Sequence, residues 1–129
     1  MVIEQCLSVF RGKKVLVTGH TGFKGAWLSL WLYKLGAEVI GISLEPKTEL
    51  DNFVLSGVGN LVKDYRLDIR DYQNLKKTID FENPEIVFHL AAQPLVLESY
   101  QTPMGTFEVN NQGTANMLEV IRKSSSIKT

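Results

Sequence analysis

The stretch "VLVTGHTGFKGAWLSLWLYKLG", residues 15–36, leaves a chain few ways to fold. A β-branched run, "KVLVT" at 14–18, passes into glycines at 19, 22 and 25, and a Trp- and Leu-rich segment then closes at Gly36. So few side chains in the run want water that a strand buried on both faces is expected. Residues 23–35 change to helical spacing. Trp27, Trp31 and Leu35 recur every fourth position, with Leu28 and Leu32 beside them, and predict the apolar stripe of a helix. Gly36 suits the left-handed position that ends one.

The same alternation continues along the chain. "EVIGISL" (38–44) reads as a second buried strand after a short turn, and a weaker helix is expected near 48–56. "LVKDYRLD" (61–68) reads as a third strand. Asp71 is placed to cap the helix in "DYQNLKKTIDF", with Leu75 and Ile79 inward, and Pro84 separates it from a fourth strand, "EIVFHLAA" at 85–92. Thr102-Pro103 opens a last helix running to about Lys123, with Phe107, Thr114, Leu118 and Ile121 on one face. The tail "KSSSIKT" reads as loose. Four strand–helix alternations imply a parallel sheet covered on both faces through right-handed crossovers. The expected fold is α/β, a Rossmann-like doubly wound parallel sheet of strand order 3-2-1-4. At 129 residues the chain is one domain by size.

In such a sheet a ligand sits at the carboxyl ends of the strands, where the order reverses beside the first strand. Gly19, Gly22 and Gly25 fall there. Without Cβ atoms their amides approach a diphosphate closely, and Gly25 lets the helix press on the strand. The helix N-terminus adds free N–H groups and a partial charge of about +0.5. Local binding of this kind suits a chain whose 14 basic and 14 acidic residues cancel, since no global field draws nucleic acid or an acidic membrane surface. Lys24 is either a phosphate neutraliser or a solvated residue of the first turn. His20 is either a cover for the phosphates or a simple loop residue.

The spacing Gly-x-x-Gly-x-x-Gly in "TGHTGFKG" resembles the short-chain dehydrogenase/reductase superfamily, its extended branch in particular. "LDIRD" (67–71) resembles the segment whose Asp68 and following Ile69 meet the adenine, and "HLAAQ" (89–93) the loop Leu90, Ala91, Ala92, Gln93 that passes under the cofactor. "NNQGTANMLE" (110–119) resembles the helix in which an Asn, here Asn110, precedes Gly-Thr. Within the branch, "GHTGFKGAWLSLWL", "PEIVFHLAAQPLV", "SYQTP" and "TFEVN" are similar to the CDP-glucose 4,6-dehydratases over about residues 10–123. The resemblance implies NAD as cofactor, held by Gly19, His20, Thr21, Gly22, Phe23, Lys24, Gly25, Ser43, Asp68, Ile69, Leu90, Ala91, Ala92, Gln93 and Asn110. Two departures stand out. Ser43 occupies the place where many NAD-using relatives carry an acid for the adenosine ribose, so the residue itself does not decide NAD against NADP. Leu97 stands where the family commonly has Arg.

The activity implied is a lyase reaction of deoxysugar biosynthesis. The C4 hydroxyl of CDP-glucose is oxidised, water leaves across C5–C6, and hydride returns to C6 to give CDP-4-keto-6-deoxyglucose. That chemistry needs a Tyr-x-x-x-Lys helix. Only Tyr72 and Lys76 have the spacing, between the third and fourth strands and away from the switch point, so no residue of this chain is assigned a catalytic role. The expectation is a partial NAD-binding domain over 1–129, cut before strand 5, with the catalytic helix and the sugar-nucleotide domain missing and catalysis absent from the piece alone. An uncovered fourth strand would favour self-association, and a homo-oligomer is expected of the whole enzyme. Other readings are a standalone dinucleotide-binding or regulatory module, or an extended-branch epimerase or reductase.

His89 ends a buried strand and is read as packed or hydrogen-bonded rather than catalytic. No His, Cys and carboxylate grouping has metal-ligand spacing, so no metal is expected. A single cysteine, Cys6, suits a reducing compartment, and "MVIEQCLSVFRGKK" is no convincing signal peptide. No stretch approaches the roughly 18 apolar residues of a membrane span, and a cytoplasmic location is expected.

Overall fold

Four short strands form one parallel sheet in the order β3-β2-β1-β4: β1 is Lys14–Thr18, β2 Glu38–Ser43, β3 Lys63–Arg66 and β4 Ile86–His89. The structure is a computed structural model describing residues 2–129, with side chains from Gln5 onward. Strand order and hand-overs match the expected doubly wound arrangement. Thr18 of β1 pairs in register with Ile42 of β2 and His89 of β4, and Ser43 with Arg66, so these strand ends gather on one edge of the sheet.

Burial divides the sheet by alternation. Leu16, Ile40 and Ile42 face one layer, where they meet Leu75 and Ile79 of α4 (Tyr72–Glu82) and Met117 and Val120 of α7 (Thr114–Lys123). Val15, Val17 and Val39 face the other, against Leu32 of α2 (Phe23–Lys34). Both faces of β1 are therefore dry, which is why its sequence is an unbroken apolar run. At the amino-terminal edge Glu82 is 3% exposed. Burial raises its carboxyl, but the Lys63 ammonium and the Tyr65 hydroxyl, at 2.8 and 2.5 Å, outweigh this and hold it below its usual range.

Two expected helix faces are corrected. In α2 the buried residues are Gly25, Ala26, Ser29 and Leu32, whereas Trp27 and Trp31 are 55% and 56% exposed. The helix starts hard against β1, so small residues face the sheet and the indoles turn outward. In the last helix Phe107 and Leu118 are exposed, and Gly113, Asn116, Met117 and Val120 are buried instead. Residues Glu108–Gly113 form a π-helical turn between α6 (Pro103–Phe107) and α7, and its wider turn shifts the phase of everything after it.

Other boundaries differ in detail. The weak helix near 48–56 shrinks to α3 (Asn52–Leu55), because Asp51 accepts from Lys47 N and Thr48 Oγ1 and holds the preceding residues in a turn. A helix not expected from sequence, α5 (Val96–Gln101), follows β4, and Leu97 lies on it 70% exposed. Asp71 does cap α4, accepting from Asn74 N at 3.2 Å. The tail is not loose. Lys128 N donates to Glu85 O and Thr129 O accepts from Val87 N, both at 2.8 Å, and Ile127 packs on the core, so part of the outer edge of β4 is covered. A short helix, α1 (Val2–Leu7), precedes β1.

The reassigned face of α2 is testable. Leu32→Ala is expected to cost about 2–5 kcal/mol in chemical denaturation. Trp31→Ala, removing a larger but half-exposed side chain, is expected to cost about 1 kcal/mol or less. The reverse ranking would restore the indole stripe as the inward face.

Candidate functional site

The glycine turn is built by close approach. Gly19 has φ +77°, and a Cβ there would lie 2.8 Å from Ala91 N. A Cβ on Gly25 would lie 2.0 Å from Gly19 O, so the fold itself demands glycine at both places. Gly22 is different. Its φ and ψ of −73° and 168° suit any residue, it is exposed, and an added Cβ would meet only Gly19 O, at 3.3 Å. Packing asks for glycine less strongly there than at Gly19 or Gly25: the contact is tight, but a few tenths of an ångström would relieve it. Gly22 is also the N-cap of α2, where no side chain caps the helix, and the N–H groups of Phe23, Lys24 and Gly25 lack the partner four residues back that later positions have. Phe23 and Lys24 are exposed beside it.

The turn is tied to the ends of β2 and β4. Thr21 Oγ1 donates to Leu44 O at 3.0 Å, which commits its only proton, so the Ser43 hydroxyl 2.7 Å away donates to Thr21. Ser43 then has only lone pairs to offer a ligand. Beyond β4, Leu90 N and Ala91 N both donate to Thr18 Oγ1 at 3.1 Å. Gln93 and Asn110 clamp each other: Gln93 N donates to Asn110 Oδ1 at 2.8 Å and Asn110 Nδ2 to Gln93 O at 3.1 Å. The π-helical turn aims Asn110 at this loop, with Ala92 exposed between the two anchors.

The remaining sequence-derived residues take other positions. His20, read either as a phosphate cover or as a loop residue, is completely buried. Its Nε2–H donates to Asp64 Oδ1 at 2.7 Å, and its ring stands edge-on to Phe53. A Cβ on Gly41 would lie 2.3 Å from that ring, which explains a glycine in the middle of β2. The imidazole is a prop beneath the turn and not a cover over it. Ile69 is likewise buried, its side chain packed on Gly113, so only its main chain remains for a ligand. Asp68 holds Arg70 through both carboxylate oxygens. That contact, with the Arg70 backbone N–H, keeps its carboxyl below the usual range against burial.

The turn, Ser43 and the 90–93 loop therefore converge, with Asn110 as a brace. Sequence reasoning missed Thr18, Asp64, Phe53 and Thr114. The mid-strand Gly41 was the one signal of a ring packed above it. Tyr72 and Lys76 lie on α4, where Lys76 pairs with Asp80. Among the described residues no His, Cys, Asp and Glu grouping has the geometry for a metal, and no helix is long and apolar enough to cross a membrane.

The family model described as GDP-mannose 4,6 dehydratase matches residues 16–129. A CDP-glucose 4,6-dehydratase of Salmonella typhimurium is 46% identical over 119 residues, covering 92% of this chain and 33% of that protein. Among solved structures, an epimerase from Methanothermobacter thermautotrophicus superimposes with a TM-score of 0.80 at 28% identity, over 98% of this chain and 36% of its own. The UDP-glucose 4-epimerase of Thermus thermophilus, solved in complex with NAD, gives 0.75 at 33% identity, over 88% of this chain and 35% of its own. This chain spans about a third of the length of the curated relatives it matches.

Both imidazoles respond to burial. Desolvation lowers His20 below the ordinary 6.5 despite the Asp64 carboxylate, and lowers His89 with nothing opposing it. Between those lowered values and 6.5 the unfolded chain binds more protons than the folded one, so stability falls as pH drops through that window. Thermal unfolding followed from pH 7.5 to 5.5 is expected to show a falling midpoint. A flat profile would contradict neutral rings, one buried at His20 and one half-buried at His89.

Proposed function

The chain belongs to the GDP-mannose 4,6-dehydratase family, and we propose that it is the cofactor-binding part of an NAD-dependent CDP-glucose 4,6-dehydratase. The substrate choice follows the relative with 46% identity, and the cofactor follows the Thermus thermophilus epimerase solved with NAD. The observation that carries the reading is Gly22. Backbone angles allow a side chain there and packing would have to give by only a few tenths of an ångström, far less than at Gly19 or Gly25, yet the residue at the open mouth of α2 has none. A ligand that must touch the helix's first N–H groups supplies the missing reason.

In this reading the amides opening α2 take the diphosphate, Lys24 stands near it, and the 90–93 loop forms the floor. Ser43, its proton committed to Thr21, accepts from a ribose hydroxyl in place of the usual acid. Arg66, the register partner of Ser43, donates to Asp64 Oδ2 at 2.8 Å and lies 3.6 Å from Glu45, so its charge is already balanced. A 2′-phosphate would sit among those carboxylates, which favours NAD over NADP. NAD held there would supply a reusable store for hydride from the sugar. This chain's residues bind and orient, and none transfers a proton. The enzyme works inside the cell, on a nucleotide sugar, as a homo-oligomer through the exposed apolar faces of α5 to α7.

Thermal unfolding with added dinucleotide tests this. Saturating NAD, at about 100 times its Kd, is expected to stabilise the chain by about 2.7 kcal/mol. NADP at the same concentration should give less. Gly22→Val should fold and lose the response. Equal stabilisation of Gly22→Val and the unaltered chain would remove the phosphate cradle from the account.

A further inference from the structure

Phosphate binding leaves one part-buried chain of polar groups unexplained. Thr18 closes β1 and His89 closes β4, and as register partners in a parallel pair their side chains share a face. Thr18 is fully buried, and its Oγ1 lies 2.6 Å from His89 Nδ1. The same oxygen accepts from Leu90 N and Ala91 N at 3.1 Å, the Leu90 N–H being shared with Thr18 O. On the other side of the ring, His89 Nε2 lies 3.2 Å from Thr114 Oγ1 on α7.

Proton counting fixes the direction of this chain. A hydroxyl has one proton and two acceptor positions. Two amides fill the acceptor positions of Thr18, so its proton points to Nδ1. Nδ1 is therefore an acceptor, the ring proton lies on Nε2, and Nε2–H donates to Thr114. The opposite tautomer would aim Nδ1–H at an oxygen with no lone pair free and leave a part-buried donor unpaired, at a cost of up to about 1–3 kcal/mol.

We propose that His89 is a positioning residue: as the neutral Nε2–H tautomer it draws in the Thr18 proton, frees that oxygen for the amides of Leu90 and Ala91, and so fixes the 90–93 loop. The consequence for ligand binding rests on the dinucleotide reading, in which this loop is the floor of the crevice. The groups facing the ring are Thr18 from β1 and Thr114 from α7, neither of which titrates near neutral pH, and among the described residues no charged side chain acts on it. Imidazolium would present donors on both sides. Thr18 would have to turn its proton away from Nδ1, towards one of the two amides, and surrender that bond. The loop is thus held at neutral pH and released in acid.

The test is nitrogen-15 NMR of the two histidine rings, with hydrogen exchange at Leu90 and Ala91 corrected for intrinsic rates. At pH 7.5 His89 is expected to show the Nε2–H pattern. His89→Leu is expected to speed exchange of Ala91, whose N–H donates to Thr18 Oγ1, by about tenfold, the scale of one lost hydrogen bond, with a smaller effect at Leu90, which keeps Thr18 O, while β2 amides hold. His89→Asn, whose Oδ1 takes the place of Nδ1, should restore protection and abolish its loss in acid. NAD affinity should follow the same order, about tenfold weaker in His89→Leu and near normal in His89→Asn. An Nδ1–H ring or imidazolium at pH 7.5 would overturn the proposal, as would unchanged exchange in His89→Leu. Should His89→Leu not fold, the acid-dependent exchange of Leu90 and Ala91 relative to β2 in the unaltered chain decides in its place. A chain with the stated tautomer and protection that ignores NAD would sink the dinucleotide reading and leave the clamp standing.

Discussion

Everything at the carboxyl edge of the sheet depends on how closely three pieces of main chain approach Gly19. Its amide donates to Ile42 O of β2 at 2.8 Å, its carbonyl lies where a Cβ on Gly25 would need to be, and its own missing Cβ leaves space for Ala91 N. A side chain at 19 or 25 would push α2 or the 90–93 loop away from β1. Close packing transmits such a displacement, because interiors have no slack to absorb it. The mouth of α2, the end of β2 and the loop after β4 therefore share one position because they share one contact.

In the proposed reading, that convergence is how a chain of zero formal net charge would accommodate an anion. The positive character is local and made of main-chain dipoles at the first turn of α2, where no side chain caps them. Apart from the exposed Lys24, the titratable groups nearby are spent on holding shape: His20 on Asp64, Asp64 on Arg66, Asp68 on Arg70. Hydroxyls do the same work between segments, Thr21 with Ser43 and Thr18 with His89. The site is rigid for reasons that do not involve the ligand.

How much of this could be read from the sequence depended on the range of the interaction. Strand order, the glycine turn and the Asp71 cap are local patterns, written in a few adjacent residues, and the structure has them where they were expected. The inward face of α2 was misread because indoles look like core; only the approach to β1 makes Gly25, Ala26 and Ser29 the inner residues. The last helix was misread because a π-helical turn leaves no mark in a 3.6-residue periodicity. His20 and Ile69 lie in the segments that the sequence singles out, but the direction of a side chain depends on what lies across the sheet, here Gly41 and Gly113. The tail looked polar and loose, and its pairing with β4 is main-chain hydrogen bonding to which side chains are indifferent.

The central claim is that α2 begins where it does, bare at Gly22, to hold a diphosphate. A crystal of this chain grown with NAD addresses it most directly. The account expects the diphosphate oxygens within about 3 Å of the N–H groups of Phe23 and Lys24, with the adenosine ribose beside Ser43. A dinucleotide bound elsewhere on the molecule, with the opening of α2 facing only solvent, would contradict it.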